Sequence, residues 1–90
     1  MAVKMEVFSG NPPCPGCLEI MNLCRSVAEE YGEEIEFTPY VGEEGMAKFD
    51  EYRMFCVPAV VVNGFIKIEG VVPSRFTLLN ALREGGLCLR

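Results

Sequence analysis

Cys14 and Cys17, in "NPPCPGC" (Asn11 to Cys17), are the residues whose type and spacing carry chemistry. Two thiols three residues apart, ringed by proline and glycine, fit three uses: a redox couple, half of a soft-metal site, or a cysteine-rich turn. On a helix their Cα atoms stand about 5 to 5.5 Å apart, inside the range that a disulfide accepts. The pair can then open and close with little backbone motion. In that use Cys14 attacks a substrate disulfide, a mixed disulfide forms, and Cys17 attacks the Cys14 sulfur, releasing dithiol product and leaving a Cys14–Cys17 disulfide. The chain has no histidine, which removes every Cys-His, Ser-His and His-metal arrangement. Thiol-disulfide exchange needs none of them.

The flanking sequence sets the corner at which the pair sits. Val3 to Ser9, "VKMEVFS", alternates Val3, Met5 and Val7 against Lys4, Glu6 and Phe8 and reads as a strand running into the breaker at Gly10 to Pro13. From Cys17, the apolar positions Ile20, Met21, Cys24, Val27, Ala28 and Tyr31 recur at helical spacing up to the stop at Gly32. Cys14 falls at or just before the start of this helix, with Pro15 at its first position, where a missing N–H costs nothing. Unpaired N–H groups and the positive end of the helix dipole stabilise a thiolate there. Cys14 is thus the expected nucleophile at neutral pH.

Beyond the helix, Ile35 to Val41 is predicted as a strand that Pro39 confines to a sheet edge or cuts short. "EEGMAKFDEYRMF" predicts a short helix with Met46, Phe49 and Tyr52 on one side. Ala59 to Val62 is a β-branched run followed by the hairpin signal Asn63-Gly64 and a strand that puts Ile66 and Ile68 on one face. Ser74 is the N-cap of a last helix with Phe76, Leu79 and Leu82 as its buried stripe, closed by Gly85-Gly86. The order is βαβαββα, an α/β chain whose first crossover is right-handed. One domain spans 1–90, with a core over about 3–85 and a loose tail at 86–90.

Composition narrows the function classes. The chain has 90 residues, half of them hydrophobic, and a net charge of −5 from 8 Lys and Arg against 13 Asp and Glu. No basic run is present, so nucleic acid is not an expected partner. No window approaches the roughly 18 to 20 apolar residues of a membrane span. "MAVKMEVFSG" carries no secretory pattern, and the cytoplasm is the expected compartment. Five cysteines are an odd number, which in a reducing compartment does not read as a structural disulfide framework.

The remaining thiols have separate expectations. Cys24 is a buried small hydrophobe, Cys88 an exposed thiol of the tail, and Cys56 a core or loop filler or a third redox thiol. Cys24 lies about 10 Å beyond Cys17 and cannot share a metal ion with it. Cys56, two residues before Pro58, is the remaining candidate for a third thiolate. A non-catalytic thiol module holding copper(I) or an iron–sulfur cluster therefore stays as a second reading.

Taken in order, a strand leading into "CPGC", a crossover helix, "VPAVVVNG" (Val57 to Gly64) and Gly70 before the last helix make the chain resemble the thioredoxin and glutaredoxin superfamily. It is most similar to the small, archaeal-type thioredoxin-like members, over roughly residues 3 to 85. The resemblance implies a thioredoxin fold, a four-stranded mixed sheet flanked by three helices. It also implies a protein disulfide oxidoreductase with Cys14 and Cys17 as catalytic pair and no cofactor beyond their redox-active disulfide. Pro58 is then cis, Val57 pairs its backbone with substrate, and Pro13, Pro15 and Gly16 face it. The implied partners are disulfide-containing target proteins and an upstream reductase, served by a monomer. "CPGC" differs from the CGPC of thioredoxins and the CPYC of glutaredoxins, and the Asp that thioredoxins bury would fall near Phe8, where that proton acceptor is missing. Gly70-Val71-Val72-Pro73-Ser74 lacks the Gly-Gly-acidic glutathione pattern, so reduction of protein disulfides without glutathione preference is expected.

Overall fold

Strand β1 (Val3–Ser9) is the centre of the molecule in the computed structural model, which describes residues 2–89. It pairs in parallel with β2 (Ile35–Val41) and antiparallel with β3 (Ala59–Val62), which in turn pairs antiparallel with β4 (Ile66–Glu69). The sheet order is β2-β1-β3-β4. Helices α1 (Pro15–Tyr31), α2 (Met46–Glu51) and α3 (Arg75–Glu84) complete a four-stranded mixed sheet with three helices, as the sequence predicts. β2 lies at an edge, where Pro39, set opposite Val7, loses no ladder bond to a further strand.

Both faces of β1 are covered, and this divides the core in two. Directly opposed residues of antiparallel strands share a face, so Met5 with Val62 and Val7 with Val60 point one way while Glu6 with Val61 and Phe8 with Ala59 point the other. The first set joins Ile20, Cys24 and Val27 of α1 and Leu78 and Leu82 of α3 in the larger core. The second set packs with Met54, Tyr40, Phe49 and Tyr52, where the Phe8 ring stacks on Tyr40 with centroids 5.0 Å apart. Burying each such side chain is worth roughly 1.5 to 3 kcal/mol.

The second cover buries a carboxylate. Glu6 is fully buried, and the Tyr52 hydroxyl donates to its Oε1 at 2.6 Å while the Tyr40 hydroxyl donates to its Oε2 at 3.1 Å. Paired in this way the charge is tolerated inside; unpaired it would not be.

Local signals are realised where they are strongest. Asn63 and Gly64 both have positive φ, 53° and 79°, the pair of left-handed residues that a type I′ hairpin needs. The Ser74 hydroxyl oxygen accepts the Thr77 N–H and caps α3.

Four expectations are corrected. Phe76 is 75% exposed, and Leu78, Ala81 and Leu82 bury α3 instead; two residues of helix turn Phe76 about 200° away from Leu78. Met46, the first residue of α2, is 52% exposed rather than core, with only Phe49 and Tyr52 reaching the second cluster. Of the alternatives for Cys56, a core role is excluded, since it is exposed in the loop before Pro58. Leu87 is buried, and its N–H donates to the Leu82 carbonyl at 3.0 Å, so the chain after Gly86 is held at that point; Arg90 of the expected tail lies outside the described residues. Among the described residues no helix is long and apolar enough to cross a membrane.

Candidate active site

The end of β1, the loop at 10–13 and the first turn of α1 form one corner, and each part follows from its sequence. Ser9 ends the strand, and Pro12 and Pro13 deny a ladder to the residues that follow. Cys14 is the N-cap of α1, with extended backbone and ψ 166°, and Pro15 opens the helix. As N-cap, the Cys14 sulfur accepts the Cys17 N–H at 3.1 Å, one of the donors that a helix start leaves free. The Cys14 carbonyl accepts the Leu18 N–H at 3.0 Å, beginning the helical ladder.

The two sulfurs lie 2.7 Å apart in a hydrogen bond. Cys14 is half-buried and Cys17 fully buried, so one sulfur is reachable from solvent and the other waits behind it. Burial pushes the Cys17 thiol up, but the hydrogen bond from the Cys14 side chain, with lesser help from the Gly10 and Cys14 backbone and from Ser9, outweighs it, and Cys17 titrates below the usual thiol range. Protons on so close a pair belong to the pair rather than to either residue. Ser9 is itself buried, its hydroxyl donating to the Gly10 carbonyl at 2.9 Å.

A second segment closes over the corner. The Val57–Pro58 peptide is cis, and Pro58 is buried against the motif: a Cβ on Gly16 would stand 3.3 Å from Pro58 Cγ and 3.5 Å from Val72 Cγ2. A side chain at Gly16 would need Pro58 to give by a few tenths of an ångström. Val57 stays on the rim, 36% exposed, with its Cγ2 3.9 Å from where Gly10 would carry a Cβ. The Gly70 N–H donates to the Pro58 carbonyl at 2.8 Å, and Glu69 Oε1 accepts the Phe55 N–H at 2.7 Å. These bonds tie residues 55–58 to the end of β4.

Of the residues singled out in the sequence, Cys14, Cys17, Gly16 and Pro58 thus come together, Val57 rims the site, and Pro13 and Pro15 are exposed beside Cys14. The other thiols stand apart. Cys24 is buried and its thiol is pushed up to about 12 by burial, Cys56 and Cys88 are exposed, and among the described residues no group of three or more His, Cys, Asp or Glu gathers to hold a metal ion. Ser9 and Gly10, which help to lower the Cys17 thiol, were missed in the sequence, although a polar residue ending a strand that feeds a thiol motif is a usable signal. Glu6 was missed because it alternates against the apolar set Val3, Met5 and Val7, with nothing near it in sequence to signal its burial.

A thioredoxin-type redox module is the class that this fold and this cysteine corner define. Residues 3–83 match the family model described as "Thioredoxin domain". The chain is 31% identical over 84 residues to a protein named "Probable Thioredoxin" from Methanothermobacter thermautotrophicus, covering 93% of this chain and 96% of that one. It is 30% identical over 82 residues to "Thioredoxin" of Methanocaldococcus jannaschii, covering 91% and 94%. The chain belongs to the thioredoxin domain family, a family of thiol-disulfide oxidoreductases.

Proposed function

We propose that this protein reduces disulfides of target proteins through a Cys14–Cys17 dithiol/disulfide couple. The observation that carries the reading is the asymmetry of the pair: adjacent sulfurs, one reachable and one buried, at a helix start that donates an N–H to the reachable one. The Cys14 thiolate attacks one sulfur of the target disulfide; that S–S bond breaks, a Cys14–target disulfide forms, and the first target thiolate leaves and takes up a proton. The Cys17 thiolate then attacks Cys14 Sγ, the mixed disulfide breaks, and the second target thiolate leaves and is protonated. Two electrons have passed to the target, and the protein holds a Cys14–Cys17 disulfide.

The surroundings have roles that fit this sequence of steps. Val57 offers its backbone at the rim to an extended target segment, Pro58 keeps the floor of the corner closed, and Pro13, Pro15 and Gly16 present a small, uncharged surface around the attacking sulfur. No cofactor besides the two sulfurs is needed. An upstream reductase or dithiol restores the reduced pair, and we assign the working form as a cytoplasmic monomer acting on proteins rather than on glutathione.

Turnover with insulin as disulfide substrate and a dithiol as reductant tests the reading. Reduction by the parent, lost in Cys14→Ser and in Cys17→Ser, is the expected result. No turnover by the parent, together with stoichiometric metal that both variants lose, would replace this reading with the metal-binding one.

A further inference from the structure

Three exposed residues, Phe55, Cys56 and Val57, stand between the buried Met54 and Pro58. Phe55 is 89% exposed, so side-chain burial does not fix this segment, and a stretch with few apolar contacts moves unless other bonds hold it. Its place matters, because Pro58 packs against Gly16 of the cysteine corner.

The bonds that hold it come from the end of β4. Lys67 and Glu69 are two residues apart and share one face of the strand, opposite Val61 and Ala59 of β3, and both reach the connection between α2 and β3. The Lys67 ammonium donates to the Tyr52 carbonyl. Glu69 Oε1 accepts two consecutive N–H groups, from Phe55 at 2.7 Å and from Cys56 at 3.4 Å. One residue on, the Gly70 N–H donates to the Pro58 carbonyl at 2.8 Å. A Cβ on Gly70 would stand 2.9 Å from the Cys56 sulfur, so the two segments lie in close contact.

Val57 is bracketed by these bonds. They take up the N–H groups of Phe55 and Cys56 and the carbonyl of Pro58, and leave the N–H and carbonyl of Val57 to an incoming segment. A carboxylate bonded to a backbone N–H is charge-assisted and roughly twice as strong as a neutral pair, which makes Glu69 the firmest anchor beside Val57. We propose that Glu69 is a positioning residue for target binding: its carboxylate holds the two residues before Val57 and so sets the Val57 backbone ready to pair with a target segment. The inference rests on the reading of the protein as a disulfide reductase that pairs its targets on Val57, and adds the side chain that prepares that backbone. A segment ordered in advance removes an entropic cost from association, so the effect of Glu69 falls on affinity and not on the exchange of sulfurs.

Two disulfides test this with the full chain. One is insulin, reduced in steady state with a dithiol as reductant; the other is dithiobis-nitrobenzoate, which has no peptide backbone, in single turnover with the prereduced protein. Glu69→Ala should raise KM for insulin roughly tenfold, the scale of ordering one backbone residue on binding, with kcat moved less than about twofold. The ratio of insulin efficiency to nitrobenzoate efficiency should fall by the same factor. Glu69→Gln keeps an acceptor at the same reach and should hold KM within about threefold of the parent. Glu69→Asp keeps the charge, is one methylene shorter, and should behave as Glu69→Ala does. An unchanged KM in Glu69→Ala with native circular dichroism, or equal slowing of both disulfides, would overturn the assignment. If Glu69→Ala does not fold, the other two variants decide, and a KM as low in Glu69→Asp as in Glu69→Gln overturns it. A parent that reduces neither disulfide would instead overturn the reductase reading itself.

Discussion

Cys17 donates its backbone N–H to the Cys14 sulfur at 3.1 Å while its own sulfur lies 2.7 Å from that same atom. One residue thus serves Cys14 twice, as a fixed donor that stabilises a thiolate and as the thiol that later displaces the target. The two roles separate by substitution, since Cys17→Ser removes the sulfur and keeps the N–H.

The cradle around Cys17 sets a pH dependence. Because Cys17 titrates below the usual thiol range in the reduced pair, where the Cys14 side chain is the largest lowering cause, thiolate absorbance of the reduced protein should rise with a midpoint below the roughly 8.5 of a free thiol. Ser9→Ala removes the smallest of the causes that lower Cys17 and should move that midpoint slightly upward. Thiolate absorbance of the reduced protein against pH checks this; a midpoint that ignores Ser9→Ala would show that the hydroxyl has no part in it.

Cys24 predicts the opposite behaviour. Its thiol is pushed up to about 12 by burial, so it should resist alkylation in the folded protein at a pH of about 9, where Cys14 is modified within minutes. The raised value also has a stability sign: the neutral thiol favours the fold fully below the unfolded value of about 8.5, and that contribution is lost as pH climbs toward 12. Tyr40 and Tyr52, raised by burial and by Glu6, act in the same direction above about pH 10. Denaturant titrations from pH 8 to 11 should show a falling midpoint.

The Glu6 cluster predicts a cost for breaking a buried network. Tyr52→Phe removes the 2.6 Å donor and leaves a buried carboxylate oxygen unpaired, which should cost about 1 to 3 kcal/mol in urea unfolding. Glu6→Gln, which can still bond both hydroxyls, should cost less than Glu6→Ala. Equal losses in the two Glu6 variants would contradict a role for those bonds.

What could be read from the sequence was what depends on near neighbours. Pro15 after Cys14, Asn63-Gly64 and Ser74 act through one or two backbone bonds, and each does so in the structure. Pro39 in β2 told of an edge because a strand interior would need its missing N–H. What could not be read depends on which surfaces meet. Glu6 alternates as a solvent-facing residue would, and only the cover of Tyr40 and Tyr52 over the second face buries it. Phe76 and Met46 have the composition of core residues, but the packing of α3 and α2 on the sheet turns them outward. Ser9 joins the site because β1 ends beneath Cys17, a contact that spacing along the chain does not encode.

The order of attack is the central claim, and trapping tests it most directly. Reduced Cys17→Ser protein, offered an oxidised target, should accumulate a one-to-one mixed disulfide whose peptide map places the bond at Cys14, while Cys14→Ser protein accumulates none. A stable adduct at Cys17 in the Cys14→Ser protein, or at Cys56 in the Cys17→Ser protein, would contradict the account.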